Sequence, residues 1–211
     1  MAISLFFGDK NYSSWSIRPW LLLHAFGIQF TEKLIPFDGF SESSQFKQTV
    51  AKYSPAGKDP FLQCSNSASP QADPLIIWEP LAIIEYRVEQ NPQFKIWPRN
   101  VALRAQARSL CAEMQSCFFA LRRHCPMNID ADLPQIGRLI WRDKLLVRKD
   151  IERIETAWRN ILKLSKGPFL AGEFSALHAF YAPVITRIQT YKLPVSEDQP
   201  LICSVSDSTH R

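Results

Sequence analysis

Three hydroxyl side chains stand next to one another in the loop after the first apolar run. Residues 2–7 (AISLFF) are typical of a buried strand, and Tyr12, Ser13 and Ser14 follow just before a helical pattern. A serine at the start of a helix commonly caps it, because its oxygen accepts a hydrogen bond from a free backbone amide. The helix dipole also stabilises negative charge at this end. On these residues alone, a capping serine is the simpler interpretation.

The cysteine and histidine residues have no spacing typical of a nucleophilic or metal site. The chain has 5 cysteines and 4 histidines, with no C-x-x-C motif, no Cys/His pairing at metal-ligand spacing and no nucleophile-elbow motif. The sequence therefore predicts no metal site, no disulfide scaffold and no Ser/His/Asp triad. The first residues contain no basic leader, and no window is long and apolar enough for a membrane span. We expect a cytoplasmic protein with reduced thiols that does not bind membranes.

Composition and charge divide the chain into two parts. With 7 glycines against 15 prolines and 46% hydrophobic residues, the sequence favours a helix-rich globular protein. Residues 1–90 carry 7 Lys and Arg against 9 Asp and Glu, whereas residues 91–211 carry 18 against 11. Acidic residues interrupt the positive charges of the second part, as on a solvated helix. We therefore expect two domains and no nucleic-acid partner.

The first part has the element order β-α-β-α-β-β-α. The periodicity predicts a helix over 15–26, with Ile17, Trp20, Leu21 and Ala25 buried and a stop at Gly27. Strands are predicted over 30–36, from residue 61 and over 75–78, with a hairpin loop at 65–74. A further helix begins after Glu79 and Pro80.

The second part is predicted to be all-helical. Helices are expected over 101–124 and 134–165, and a buried helix follows Ser175 as its N-cap. We assign Trp141, Trp158, Phe180 and Tyr181 to the core. The predicted boundaries are a first domain at 1–88, a linker at 89–100, a helical domain at 101–195 and a loose tail at 196–211.

Four segments together resemble the glutathione S-transferase family across residues 3–191. They are NYSSWSIRPWLLLHAFGI, YSPAGKDPFL, IIWEPLAIIEY and GPFLAGEFSALHAFYAPVITR. The resemblance implies a thioredoxin-like N-terminal domain that binds glutathione as a co-substrate, followed by an all-helical domain. It also implies a homodimer and a detoxification reaction with a small hydrophobic electrophile. Conjugation, thiol-dependent peroxide reduction and isomerisation all remain open.

The resemblance to the serine-type members gives the hydroxyl loop a catalytic role. Ser13 would hydrogen-bond the glutathione thiolate, and Ser14 is the alternative because a shift of one residue in the alignment exchanges them. Tyr12 would contact glutathione. A free cysteine thiol has a pKa near 8.5, so a hydrogen bond and the helix dipole would favour the thiolate at neutral pH.

A second family element is a cis-proline that exposes backbone to the cysteinyl part of glutathione. Here it is Pro60, preceded by Lys58 and Asp59. The family usually has a small aliphatic residue before this proline. A carboxylate at Asp59 that points to the ligand would raise the pKa of the thiol and oppose catalysis.

A third element is an acidic residue followed by Ser or Thr at the start of the third helix, where the γ-glutamyl carboxylate binds. Glu79 is present, but Pro80 offers neither a hydroxyl nor an amide hydrogen. Losing one hydrogen bond to a charged group weakens binding by roughly 10- to 100-fold. A catalytically weak binding or interaction protein with the same fold is therefore the alternative.

The last departure from the family pattern lies at the start of the buried helix of the second domain. The family commonly begins this helix with Ser/Thr-x-x-Asp, a capping box, but this chain has His178 three residues after Ser175. A protonated histidine cannot accept a hydrogen bond. We expect a helix start weaker by about 0.5–2 kcal/mol.

Overall fold

The computed structural model describes residues 2–39, 41–65, 73–165 and 169–196. Most of the predicted hairpin loop at 65–74 and of the predicted tail at 196–211 lies outside these residues. The chain divides into two compact units, of which the first ends at Phe94 and the second begins at Lys95. In the described part of the chain, no helix is long and apolar enough to cross a membrane.

Within its described residues, the first unit is a four-stranded mixed sheet with three helices. Its elements are β1 (Ala2–Phe7), α1 (Ile17–Ala25), β2 (Thr31–Leu34), α2 (Gln45–Tyr53), β3 (Phe61–Ser65), β4 (Leu75–Trp78) and α3 (Pro80–Gln90). The strand order is β2-β1-β3-β4; β1 runs parallel to β2 and antiparallel to β3, and β4 is antiparallel to β3. The predicted β-α-β-α-β-β-α order and the thioredoxin-like fold are confirmed.

The central strands of this sheet form much of the core. Leu5, Phe61 and Leu62 are fully buried, in keeping with the apolar runs that predicted these strands. Phe61 also packs with Phe46 and Val50 of α2. The sheet and α2 therefore hold the loops at the ends of β1 and β3 in fixed positions.

The first helix begins later than the sequence predicted, and this changes its buried face. It starts at Ile17 rather than residue 15, because residues 8–16 form a series of turns. Ile17 is buried as predicted, but the predicted burial of the other three positions is wrong: Trp20 and Leu21 are half-buried and Ala25 is exposed. The inward face carries Arg18, Pro19, Leu22 and Leu23 instead.

The described part of the second unit is helical, as predicted, but both predicted long helices are divided. Its helices are α4 (Val101–Ser116), α5 (Phe119–His124), α6 (Pro134–Asp143), α7 (Leu145–Ser165) and α8 (Ala176–Tyr191). Phe118 breaks the first by adopting a left-handed conformation, with φ of 59°. An Asp150 carboxylate oxygen of α7 accepts the Leu121 N–H at 2.9 Å, which satisfies a free amide in the first turn of α5.

Most of the predicted aromatic core is confirmed. Trp158, Phe180 and Tyr181 are fully buried, and the Trp158 and Tyr181 rings meet edge to face with centroids 5.5 Å apart. Trp141 is only half-buried, because it lies near the end of α6.

Helices α6 and α8 pack closely against each other at Gly137. This glycine is buried, and a Cβ built on it would overlap the Tyr191 carbonyl oxygen. Gly137→Ala is therefore expected to lower the free energy of unfolding by about 1–3 kcal/mol, because the two backbones must separate. Urea denaturation measures this difference. Gln135→Ala, at an exposed position of the same helix, is the matched control, and equal stability of the two variants would contradict this packing.

The predicted weak start of α8 is wrong, because His178 completes the capping box. Its Nδ1 accepts the Ser175 N–H at 3.0 Å, and the ring is almost fully buried between Phe169 and Phe174. Burial lowers the pKa of His178 to about 4, so the imidazole is neutral at pH 7 and can accept this hydrogen bond. The Leu170 N–H also lies 3.3 Å from the His178 Nε2. A neutral imidazole has only one acceptor nitrogen, and we assign that role to Nδ1 because its contact with the Ser175 N–H is shorter.

His178 makes the stability of the fold depend on pH. Its pKa is about 4 in the folded chain and about 6.5 when unfolded, so the unfolded state binds protons more readily between these values. The free energy of unfolding is therefore expected to fall by about 2 kcal/mol as the pH is lowered from about 7.5 to about 5. His178→Gln keeps an acceptor but does not titrate, so its stability should change less over this range. Urea denaturation at both pH values measures the difference, and parallel losses in the two proteins would contradict the assignment.

Candidate functional site

The sheet brings three loop positions to one edge. Phe61 pairs with both Phe6 and Trp78. Gly8 follows β1, Pro60 precedes β3 and Glu79 follows β4, so all three stand at the same edge of the sheet. Strand register thus brings loops from distant parts of the sequence to one edge of the sheet.

The loop between β1 and α1 forms turns that place Ser13 one turn before the helix. The Ser13 N–H donates to the Asp9 carbonyl oxygen at 2.7 Å, and the Ser13 carbonyl oxygen accepts the Ile17 N–H at 3.2 Å. Ser13 Oγ accepts the Ser16 N–H at 3.3 Å, which is a capping contact. The same hydroxyl donates to Ser16 Oγ at 2.9 Å.

Asp59 anchors this serine pair from across the sheet edge. Its Oδ2 accepts the Ser16 hydroxyl at 2.8 Å and the Gly8 N–H at 3.1 Å, and it lies 3.5 Å from Ser13 Oγ. The donors therefore run in one direction, from Ser13 to Ser16 to the Asp59 carboxylate. A Cβ added to Gly8 would stand 2.8 Å from this Oδ2, so the strand end must be glycine for the carboxylate to approach.

The peptide bond between Asp59 and Pro60 is cis, as the resemblance implies. The Asp59 side chain, which replaces the small aliphatic residue usual in the family, points toward Ser13 and Ser16. A negative charge beside a bound thiol disfavours the thiolate and raises its pKa. If a thiol binds beside Ser13, the Asp59 carboxylate would therefore oppose its ionisation.

A cavity of about 480 Å³ opens beside Ser13 in the first unit. Tyr12, Ser13 and Asp59 line it, so the structure brings these three predicted site residues together. Ser14 is buried, Lys58 is exposed, and neither lines the cavity. The geometry favours Ser13 over Ser14 as the hydroxyl that meets a ligand there.

The start of α3 lies at the same sheet edge but does not line this cavity. Pro80 is the first helical residue and is buried. Glu79 has φ of 69°, a conformation that costs a non-glycine residue about 1–3 kcal/mol and is found mainly at functional sites. Because Pro80 has no N–H, one hydrogen-bond donor at this helix start is missing.

Two buried cysteines, Cys64 and Cys125, are poor candidates for a reactive thiol. Burial raises the pKa of Cys64, and it raises that of Cys125 to about 12, so both are protonated at neutral pH. None of the described residues that line the cavity is a cysteine. In the described part of the chain, no group of three or more His, Cys, Asp or Glu side chains could hold a metal ion.

Sequence reasoning missed Ser16, Gly8 and the aromatic walls of the cavity, which Trp15, Phe37 and Phe46 provide. Ser16 could have been found from its spacing, because it lies three residues after Ser13 in a turn. Gly8 directly follows the first apolar run. No local signal places Phe37 and Phe46 beside Ser13, since α2 and the preceding loop bring them there.

The sheet order, the cis-proline edge and the serine turn before α1 define a protein with the glutathione transferase fold. A family model of the glutathione S-transferase N-terminal domain matches residues 12–90. This match covers less than half of the chain, and it identifies a glutathione S-transferase N-terminal domain within residues 12–90. A search of curated proteins finds no match.

Solved structures with this fold are similar to the chain over nearly its whole length. A glutathione transferase homolog from Burkholderia GL BGR1, with bound glutathione, is 18% identical, covers 100% of this chain and 93% of its own, and has a TM-score of 0.66. Glutathione transferase Omega 2S from Trametes versicolor, in complex with 2,4-dihydroxybenzophenone, is 20% identical with coverages of 100% and 90% and a TM-score of 0.62. A glutathione S-transferase from the Antarctic clam Laternula elliptica is 18% identical, with coverages of 99% and 88% and a TM-score of 0.63.

Proposed function

We propose that the protein binds glutathione and activates its thiol for attack on a small electrophile. The observation that carries this proposal is the Ser13 hydroxyl, which lines the cavity one turn before α1 and next to the cis-Pro60 edge. The bound glutathione of the Burkholderia homolog supports the choice of ligand. The reaction is conjugation, thiol-dependent peroxide reduction or isomerisation, and we propose a homodimer as the working form.

Ser13 would act as a hydrogen-bond donor and not as a nucleophile. The Ser13 hydroxyl donates to Ser16 Oγ in the structure. When a thiolate enters the cavity, rotation about the Cβ–Oγ bond of Ser13 would turn this hydrogen from Ser16 Oγ to the charged sulfur. Hydrogen bonds to charged groups contribute about 1.5–3 kcal/mol, more than neutral ones do. Ser16 Oγ keeps its hydrogen bond to Asp59 Oδ2, and the Ser16 N–H still donates to Ser13 Oγ.

Two observations favour a second candidate, a glutathione-transferase-fold protein that binds but turns over slowly. Asp59 places a carboxylate near the thiol, and Pro80 removes a donor from the γ-glutamyl end. The Asp59 carboxylate would disfavour the thiolate, and Pro80 would weaken the binding of glutathione as a whole. Turnover, rather than binding, distinguishes this candidate from the first.

Thermal unfolding with and without glutathione at about 10 mM tests the proposal. A ligand that binds only the folded state stabilises it, by about 1.4 kcal/mol at ten times its Kd, which is a shift of several degrees for a chain of this size. We expect this shift for wild type. No shift would contradict glutathione as the ligand, whereas a shift with no conjugation of activated aryl chlorides and no peroxide reduction or isomerisation would favour the second candidate.

A further inference from the structure

Large apolar side chains are exposed where α6 passes into α7. They are Ile136, Leu139, Leu145 and Leu146, with exposures of 47%, 52%, 53% and 63%. We call these four residues the apolar patch. Only Lys144 separates the two helices, so the patch lies within about three helical turns of one segment. The residues of α6 are all described, and Gly137 alone among them is buried, so the core covers the apolar side chains of this helix only in part.

Basic side chains stand beside the apolar patch. Arg142 follows Leu139 by three residues, and Lys149 follows Leu146 by three residues. Residues three apart are neighbours on the surface of a helix, so each leucine has a cation one turn away. Leu139, Arg142, Leu146 and Lys149 are all exposed. Apolar and positive side chains are therefore presented to solvent together.

The segment that carries the patch has a net positive charge. Residues 134–149 contain five lysines and arginines and a single acidic residue, Asp143. The Asp143 carboxylate already accepts the Arg142 guanidinium, with Nε and Oδ1 2.6 Å apart. A two-fold contact between the patches of two copies would bring the remaining positive charges together, which disfavours it. The charge therefore favours an anionic occupant.

We propose that the apolar patch binds the surface of an anionic lipid membrane. Leu145 and Leu146 would enter the boundary between headgroups and acyl chains, and Arg142 and Lys149 would contact the headgroups. Helical segments with leucine on one side and lysine or arginine beside it bind in this boundary. Anionic lipids attract such basic segments, so the two kinds of side chain act on the same surface.

Surface binding does not require the long apolar segment that a membrane span needs. The sequence contains no such segment, and for that reason we expected no membrane partner. Four half-exposed side chains beside basic residues are enough for binding that is reversible and sensitive to salt. No residue of the patch lines the cavity beside Ser13, so this binding does not depend on glutathione.

Binding of the full chain to vesicles tests the proposal. We would measure co-sedimentation with vesicles of phosphatidylcholine alone and with vesicles that contain about 30% phosphatidylglycerol, at about 0.1 M and about 0.5 M salt. The anionic vesicles are expected to bind at least about tenfold more tightly at the lower salt concentration. This preference should fall at the higher concentration, because salt screens the attraction.

Two variants separate the apolar contribution from the charge. Leu145→Gln/Leu146→Gln removes apolar surface without changing the charge, and it should weaken binding to anionic vesicles by about tenfold or more. Glutamine is a good helix former, so α7 should still begin at these residues. Lys149→Gln should weaken the same binding by about fivefold and leave binding to neutral vesicles unchanged.

Leu34→Gln and Lys33→Gln are the matched controls, because they make the same replacements at exposed positions of β2 in the first unit. Both should bind vesicles as wild type does. Equal binding of wild type to neutral and anionic vesicles, or binding to neither, would overturn the proposal. So would wild-type affinity in either patch variant. A dimer that Leu145→Gln/Leu146→Gln abolishes, found without vesicle binding, would assign the patch to a second copy and would also overturn it.

Discussion

Replacing Ser13 by alanine is expected to lower the rate of glutathione conjugation by about 10- to 100-fold near neutral pH. The hydroxyl is the donor that lines the cavity next to the expected position of the thiol. Its loss removes a hydrogen bond to a charged sulfur, which is worth about 1.5–3 kcal/mol. The pH–rate profile should move to higher pH, so the deficit should shrink once the solution is basic enough to ionise the thiol unaided.

Ser14→Ala is the matched control for this experiment. Ser14 is the neighbouring hydroxyl, but it is buried and does not line the cavity. Its removal should leave the pH–rate profile near that of wild type. A larger loss in Ser14→Ala than in Ser13→Ala would show that the catalytic hydroxyl is misassigned.

Replacing Pro80 by serine is expected to tighten glutathione binding by about 10- to 100-fold for each hydrogen bond that it restores. The substitution restores an N–H and a hydroxyl at the start of α3, where the γ-glutamyl carboxylate is expected to bind. Each donor adds a hydrogen bond to a charged group, at the cost of losing the rigidity of proline in the unfolded chain, about 0.4–1 kcal/mol of stability. Calorimetric titration with glutathione measures the affinity.

Pro80→Ala separates the two donors, because alanine supplies the N–H without the hydroxyl. We expect its affinity to lie between those of wild type and Pro80→Ser. If neither variant binds glutathione more tightly than wild type, the γ-glutamyl group does not bind at the start of α3.

Local sequence patterns predicted the order of the elements but not where the helices break. The alternation of short apolar runs with helical periodicity gave the order of the first unit. The break at Phe118 could not be predicted, since α5 depends on a hydrogen bond to Asp150, 29 residues beyond Leu121. The buried face of α1 was missed because the turn before it extends to Ser16.

The residues of the candidate site could be predicted from the sequence in part. Their contacts with one another could not, because these contacts join residues that are far apart in the chain. Ser13, Asp59 and Pro60 were identified by resemblance to a family. Their mutual geometry depends on strand register, which brings Asp59 to Ser16 across 43 residues. The acceptor role of His178 was also missed, because its pKa depends on burial that no local pattern reveals.

We propose that Ser13 holds the glutathione thiolate and that Asp59 opposes its formation. Ultraviolet absorbance of the thiolate, followed against pH for glutathione bound to each variant, gives the pKa of the bound thiol directly. We expect the pKa of the bound thiol to be lowest in Asp59→Asn, higher in wild type and highest in Ser13→Ala. Equal values in wild type and Ser13→Ala would contradict the role of Ser13, and a pKa that rises in Asp59→Asn would contradict that of Asp59.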